Sequence, residues 1–196
     1  MLFGCASTQA PSHQFYLEKK GLGEQTAQNF QHCHGYGCKY ITDVTFSEKD
    51  WRDVRSAFGT PKTPEAERES IKKAIAVFEQ HVGRQTGTHV DQWGTFQKTG
   101  HYQLDCVDES TNTTVYLALL EAQGLMQRHK VEPPSARFPL IHSGTWPHQT
   151  AVISERENGA FYVVDSWFHN NGQPPEIVDL KQWKEGWKPK REGDTL

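Results

Sequence analysis

Two runs rich in β-branched and aromatic residues, 148–154 and 160–167, flank the turn-forming stretch Glu155-Arg156-Glu157-Asn158-Gly159. Runs of this length joined by a short polar loop form an antiparallel hairpin. In a hairpin, facing residues place their side chains on one side of the sheet. If His148 faces Asp165, the turn is centred between Arg156 and Glu157, and 155–158 forms a four-residue loop where the turn-forming residues stand. A slip of one residue would send the two side chains to opposite faces. The hairpin therefore predicts an imidazole beside a carboxylate.

Upstream of the hairpin the pattern is helical. Ser47 caps a helix over 47–58, with Asp50 three residues on, Trp51, Val54 and Phe58 along one face, and Gly59 and Pro61 as its stop. Thr63-Pro64-Glu65 starts a second helix with proline in its first turn. Ile71, Ala74, Ile75, Phe78 and Val82 recur along it at helical spacing, and Gly83 is expected to end it. Residues 84–103 read as a loop carrying Trp93, Phe96 and Tyr102. A third helix runs over about 106–123 and stops at Gly124, with Asp108 and Glu109 at the positive end of its dipole. Pro133, Pro134 and Pro139 mark a connection. Helices followed by strands give the α+β class. Residues 1–30, polar and without apolar periodicity, read as a tether, and 31–196 as a single domain. The stretch holding Trp183 and Trp187 shows no pattern that assigns it.

Charge narrows the partners. Lys plus Arg is 21 against 24 Asp plus Glu, a net charge of −3, so no basic excess invites nucleic acid. No apolar run approaches the length of a membrane span. Of the four cysteines, Cys33 and Cys38 sit in the Gly-rich loop His32-Cys33-His34-Gly35-Tyr36-Gly37-Cys38 and are placed to close a small ring. The same loop holds zinc-ligand residue types, but adjacent ligands at 32, 33 and 34 converge poorly, so a disulfide is the favoured reading. Cys5 follows Leu2-Phe3-Gly4 and precedes Ala6-Ser7-Thr8. That resembles the lipobox of bacterial lipoproteins, although Met1 leaves no room for the charged and apolar regions of a signal sequence. A lipid on Cys5 would anchor the domain to a membrane in the bacterial cell envelope, periplasmic or lipid-anchored, where a disulfide persists.

Cys106 carries the chemistry. A free cysteine is commonly a small buried hydrophobe. Here Asp105 and Asp108 flank it, and it precedes the helix rather than lying on its apolar stripe. The positive end of a helix lowers a thiol's pKa, an imidazole takes its proton, and a carboxylate orients that imidazole. Cys106, His148 and Asp165 supply the three groups in that chain order. The backbone N–H of Cys106 is a natural oxyanion donor. A side-chain donor should stand just upstream, with Gln103 preferred over the Trp93 indole.

Four motifs in order resemble the transglutaminase-like superfamily, and among its members the bacterial transglutaminase-like cysteine proteinases. Trp93-Gly94-Thr95-Phe96 matches a Trp-x-Thr-Pro segment, with phenylalanine for proline. Leu104-Asp105-Cys106-Val107-Asp108 matches Gly-Asp-Cys-Glu-Asp, with Leu104 for glycine and Val107 for glutamate. Pro147-His148-Gln149-Thr150-Ala151 matches the Gly-His-Ala strand, and Val164-Asp165 the Leu-Asp strand. The likeness spans roughly 63–168. It implies a papain-like/transglutaminase-like core in which the nucleophile helix packs on an antiparallel sheet. It implies a Cys106-His148-Asp165 triad, a protein or peptide substrate, and a cysteine peptidase or amidase, with transamidation where an amine replaces water. Some members bind calcium through carboxylates beside the nucleophile. Asp105 fits that role but Val107 removes the second ligand, so no metal and no cofactor is expected. Two other readings stand beside this one. Cell-wall peptidases of the NlpC or CHAP type also order Cys before His, but follow the cysteine with Ser-Gly or an aromatic residue. The other is a non-catalytic envelope lipoprotein that uses a papain-like domain to bind.

Overall fold

The computed structural model describes residues 12–94, 100–138 and 147–190. In chain order it holds α1 (His13–Lys19), β1 (Asn29–His34), β2 (Tyr40–Thr45), α2 (Glu48–Phe58), α3 (Pro64–Thr86) and a 3-10 turn at Thr88–Val90. Then come α4 (Cys106–Ala122), β3 (His129–Arg137), β4 (His148–Glu155), β5 (Phe161–Asp165), β6 (Glu176–Asp179) and α5 (Leu180–Lys184). β1 pairs with β2, and β3-β4-β5-β6 form a second sheet in that order, antiparallel throughout. The class is α+β. Cys5, Phe96 and Pro139 lie outside the described residues.

Local chemistry starts the helices where the sequence says. Asp50 Oδ2 accepts the Ser47 N–H at 2.8 Å and Ser47 Oγ accepts the Asp50 N–H at 3.3 Å, a reciprocal cap on α2. Thr63 caps α3, with Pro64 in the first turn. Gly83 does not end α3. The helix continues to Thr86 and stops at Gly87, whose φ is +84°. Gly83 is a packing residue instead: a Cβ there would stand 2.6 Å from the Asn171 side chain and 3.0 Å from the His89 backbone.

Two further expectations are corrected. From residue 12 onward the expected tether is packed structure. Ser12 caps α1, Leu17 and Leu22 are buried, and the Tyr16 hydroxyl meets Thr111 Oγ1 at 2.9 Å. A seven-residue helix is too short for its apolar spacing to register in the sequence. Pro133 and Pro134 mark no connection but sit inside β3, where the pairing with β4 shifts between Glu132 and Ser135. β3 is an edge strand, and a bulge there needs no N–H from either proline.

The core is built around α4. Tyr116 stacks on Phe78 with ring centroids 4.9 Å apart, Phe78 stacks on Phe46 at 5.2 Å, and Trp51 meets Phe78 edge-on at 5.5 Å. α4 also packs on β1, β3, β4 and β5. Its polar residues are buried nonetheless, because each finds a partner. Thr111 and Thr114 donate to carbonyls one turn back, and Asn112 both donates to the Cys33 carbonyl (2.8 Å) and accepts its N–H (2.7 Å).

Cys33 and Cys38 form a disulfide. The zinc alternative fails on chemistry, since both sulfurs are joined and both histidines are engaged. His32 meets Tyr116 Oη at 3.1 Å and Thr88 Oγ1 at 3.2 Å. His34 meets the His101 carbonyl at 2.6 Å and Thr42 Oγ1 at 2.8 Å. Reducing this small ring is expected to cost about 2 kcal/mol through loop entropy, read as a lower denaturant midpoint in reductant. An unchanged midpoint would mean that hydrogen bonds alone hold the loop.

Candidate functional site

The site begins at the N-terminus of α4. Asp105 is the cap: its Oδ1 accepts the N–H groups of Val107 (3.0 Å) and Asp108 (2.9 Å). Asp108 returns the bond, its Oδ2 accepting the Asp105 N–H at 3.2 Å. Cys106 is thereby fixed as the first residue of the helix, at the positive end of its dipole. It is the free cysteine among the described residues, and it is partly exposed. Its backbone N–H belongs to the first turn, whose donors the helix itself does not use. Asp108 is wholly buried and also accepts N–H groups from Tyr36 (2.7 Å) and Cys38 (2.6 Å). Burial, then the Asp105 charge, pushes its carboxyl up to about 6, against the opposing pull of those N–H groups.

His148 opens β4 and Asp165 closes β5. The strands pair Ala151 with Val164 and Val152 with Val163, so position 150 rather than 148 stands opposite 165. The register is thus two residues away from the expected one. The cause is the turn: the Glu155 N–H still bonds the Ala160 carbonyl at 2.8 Å, and Gly159 takes a φ of +72°, which moves the bend toward Asn158-Gly159. A shift of two keeps both side chains on one face, and the imidazole reaches diagonally. His148 Nε2–H donates to Asp165 Oδ2 at 2.8 Å, with both groups buried.

The other ring nitrogen, His148 Nδ1, is buried and has no hydrogen-bond partner among the described residues. Burial pulls the imidazole's pKa down. The Asp165 charge and hydrogen bond, and then the neighbouring Cys106 thiol, override it and raise the pKa to about 9. The pair thus favours the charged imidazole, with Nδ1 as the nitrogen not engaged by Asp165. Trp167, Phe168 and Trp183 surround it at centroid distances of 4.8, 5.4 and 5.5 Å.

The two upstream oxyanion candidates are placed differently. The Gln103 carboxamide donates to the Val90 carbonyl at 3.1 Å and accepts the Gln92 N–H at 3.3 Å, so it ties the approach to α4 together. Trp93 is half-exposed, its backbone N–H bonded to Asn170 Oδ1 at 3.0 Å, and the next backbone N–H, of Gly94, reaches the Trp167 carbonyl at 3.1 Å.

Sequence reasoning missed two features. Trp183 donates its indole N–H to the same Asp165 Oδ2 at 2.8 Å, and a lone tryptophan in an unpatterned stretch gives no signal of that. The second is a set of buried acids behind α4. Glu79 is pushed up to about 8 and Asp91 to about 7, and Glu109 lies well above the usual carboxylate range, in each case by burial first and by neighbouring carboxylates in addition. Glu79 accepts the Gly172 N–H at 2.8 Å and Asp91 the Leu104 N–H at 2.7 Å. Among the described residues, no group of three or more His, Cys, Asp or Glu side chains is placed to hold a metal ion. No described helix is long and apolar enough to cross a membrane. Comparison with protein-family models, with curated proteins and with solved structures finds no match for this chain.

These groups set a pH dependence. The acids titrate higher when folded than in an open chain, so their contribution to stability is present below about pH 4 and is lost as pH rises through about 7 to 8. His148, also raised, loses its contribution as pH climbs through about 9. The unfolding free energy is therefore expected to fall from pH 6 to pH 9.5 by at least about 1.4 kcal/mol, the equivalent of one pKa unit. Chemical denaturation at both pH values measures it, and Glu109→Gln should flatten the fall. A domain more stable at pH 9.5 would contradict the assignment.

Proposed function

We propose that this domain is a papain-like, transglutaminase-like cysteine hydrolase that cleaves peptide or amide bonds. The observation that carries the reading is the buried His148–Asp165 pair, whose imidazole lies near enough to Cys106 for the thiol to raise its pKa, with Nδ1 the nitrogen not engaged by Asp165. The packing of α4 on β4 and β5 also supports it, since a papain-like core sets its nucleophile helix against such a sheet.

In this reading His148 holds the thiol proton and Cys106 Sγ attacks the substrate carbonyl. The developing oxyanion draws on the Cys106 backbone N–H. Nδ1–H then protonates the departing amine, leaving a thioester on Cys106. Water, deprotonated by the now neutral imidazole, attacks that thioester and releases the acid. An amine in place of water would give transamidation. Asp165 keeps Nε2–H pointed at itself, so Nδ1 stays available to the thiol. The substrate would be a protein or peptide. The disulfide suits an oxidising compartment such as the bacterial envelope, with Cys5 as the lipid attachment point.

Thiol labelling tests this against a domain that only binds. Cys106 should react rapidly with iodoacetamide at pH 6, and His148→Ala should slow it at least about tenfold by removing the proton acceptor. Cys106→Ala should abolish amide hydrolysis and leave the fold intact. Asp165→Asn should lower activity by up to about ten-thousandfold, the scale known for a Ser-His-Asp triad, though a thiol leans less on its third residue. A Cys106 that labels no faster than a free thiol would leave a binding module.

A further inference from the structure

Asp165 Oδ2 accepts two hydrogen bonds of equal length, from His148 Nε2 and from Trp183 Nε1, each 2.8 Å. Trp183 is fully buried, and its ring lies 5.5 Å from the His148 ring. It sits on α5, which follows directly on β6, and β6 places Glu176 opposite Asp165. The indole is held from the other side by Arg137 of β3, the residue facing His148 in the β3–β4 register. The Arg137 guanidinium stacks over the Trp183 ring at 4.5 Å and donates one nitrogen to the carbonyls of Trp183 (2.6 Å) and Trp187 (2.9 Å). Ring and backbone of Trp183 are thus both fixed independently of the carboxylate.

We propose that Trp183 is a positioning residue for the His148–Asp165 pair: its indole N–H pins the oxygen to which the imidazole donates and so sets the orientation of the ring. An indole suits the task because it is a donor only and does not titrate. It can stabilise the carboxylate without competing for the proton that moves between imidazole and thiol. Without it, a nearly fully buried carboxylate would keep one donor to that oxygen and gain rotational freedom about χ2. The geometry stands whether or not the domain is a hydrolase; only the expected effect on turnover rests on the proposed function.

Trp183→Phe keeps a buried ring and removes the donor. Loss of that hydrogen bond costs the pair most once His148 has given up its proton and the carboxylate charge stands uncompensated. The His148 titration, followed by NMR, should therefore move to higher pH by at least about half a unit, hydrogen bonds to charged groups being the strong class. The other charged or titratable groups around the pair are Arg137 from β3, Glu109 from α4, Cys106 at its start, Glu176 opposite Asp165 on β6 and Lys184 over the Trp183 ring on α5, all unchanged in this variant. On an amide substrate, kcat should drop about tenfold with little change in KM, the misaligned ring acting after binding.

Trp187→Leu loosens the same end of the domain without touching Asp165 and should leave the His148 titration in place. If Trp183→Phe fails to fold, benzothienylalanine at 183, which keeps the shape of the indole but lacks the N–H, gives the same readouts. A His148 titration unmoved, or moved equally by Trp187→Leu, overturns the proposal. An unreactive Cys106 in the wild-type chain would overturn the hydrolase reading while the titration still decides the role of Trp183.

Discussion

The Asp108 carboxylate joins three parts of the molecule that the chain keeps far apart. It closes the first turn of α4 by accepting the Asp105 N–H, and it takes the N–H groups of Tyr36 and Cys38 from the disulfide loop. Tyr36 and Cys38 both have positive φ, which non-glycine residues adopt at a cost, so the loop needs an external acceptor to hold its shape. The same bonds fix the height and tilt of the helix end that carries Cys106. The loop, the helix start and the thiol are therefore one mechanical unit. Asn112, one turn further along, repeats the tie by holding both backbone groups of Cys33.

α4 shows why such ties matter. It is enclosed on nearly all sides, yet over 108–114 its sequence is Asp-Glu-Ser-Thr-Asn-Thr-Thr. Burying that many polar groups without partners would destabilise the domain by several kcal/mol. Their partners also set position: Thr113 meets Ser166 beside the site, and Ser110 accepts from Gln149, which follows His148. Satisfying the helix's polar groups and locating the strands that carry His148 and Asp165 are the same set of bonds.

What the sequence made legible follows from the range of the forces involved. Caps are local, so Ser47, Thr63 and Asp105 mark helix starts that the structure keeps. Side-chain alternation has a period of two, so the shared face of His148 and Asp165 survived an error of two residues in register. The register itself depended on a φ at Gly159 that residue identity does not dictate. Gly83 and Pro133-Pro134 carried tertiary reasons, close approach in one case and an edge-strand bulge in the other, and both read wrongly as punctuation. α1 was too short to show a period. The buried acids Glu79, Asp91 and Glu109 come from α3, from the segment after the 3-10 turn and from α4, and no spacing in one dimension brings them together.

The acids and the imidazole also share a charge balance. Glu109 is disfavoured as an anion by burial and then by Glu79, Asp91, Asp108 and Asp165, all within its electrostatic reach. While it keeps its proton, Asp165 is the carboxylate next to His148 whose charge the imidazolium answers. Were Glu109 to ionise, a second negative charge would lie near the pair with no cation of its own, because Arg137 already serves the carbonyls of Trp183 and Trp187. A protonated Glu109 thus lets a single ion pair exist inside a wall of aromatic rings. The same burial that makes the acids reluctant to ionise makes the His148–Asp165 attraction strong, since both respond to the low local dielectric. Polarity at the site and protonation behind it are two consequences of one dry interior.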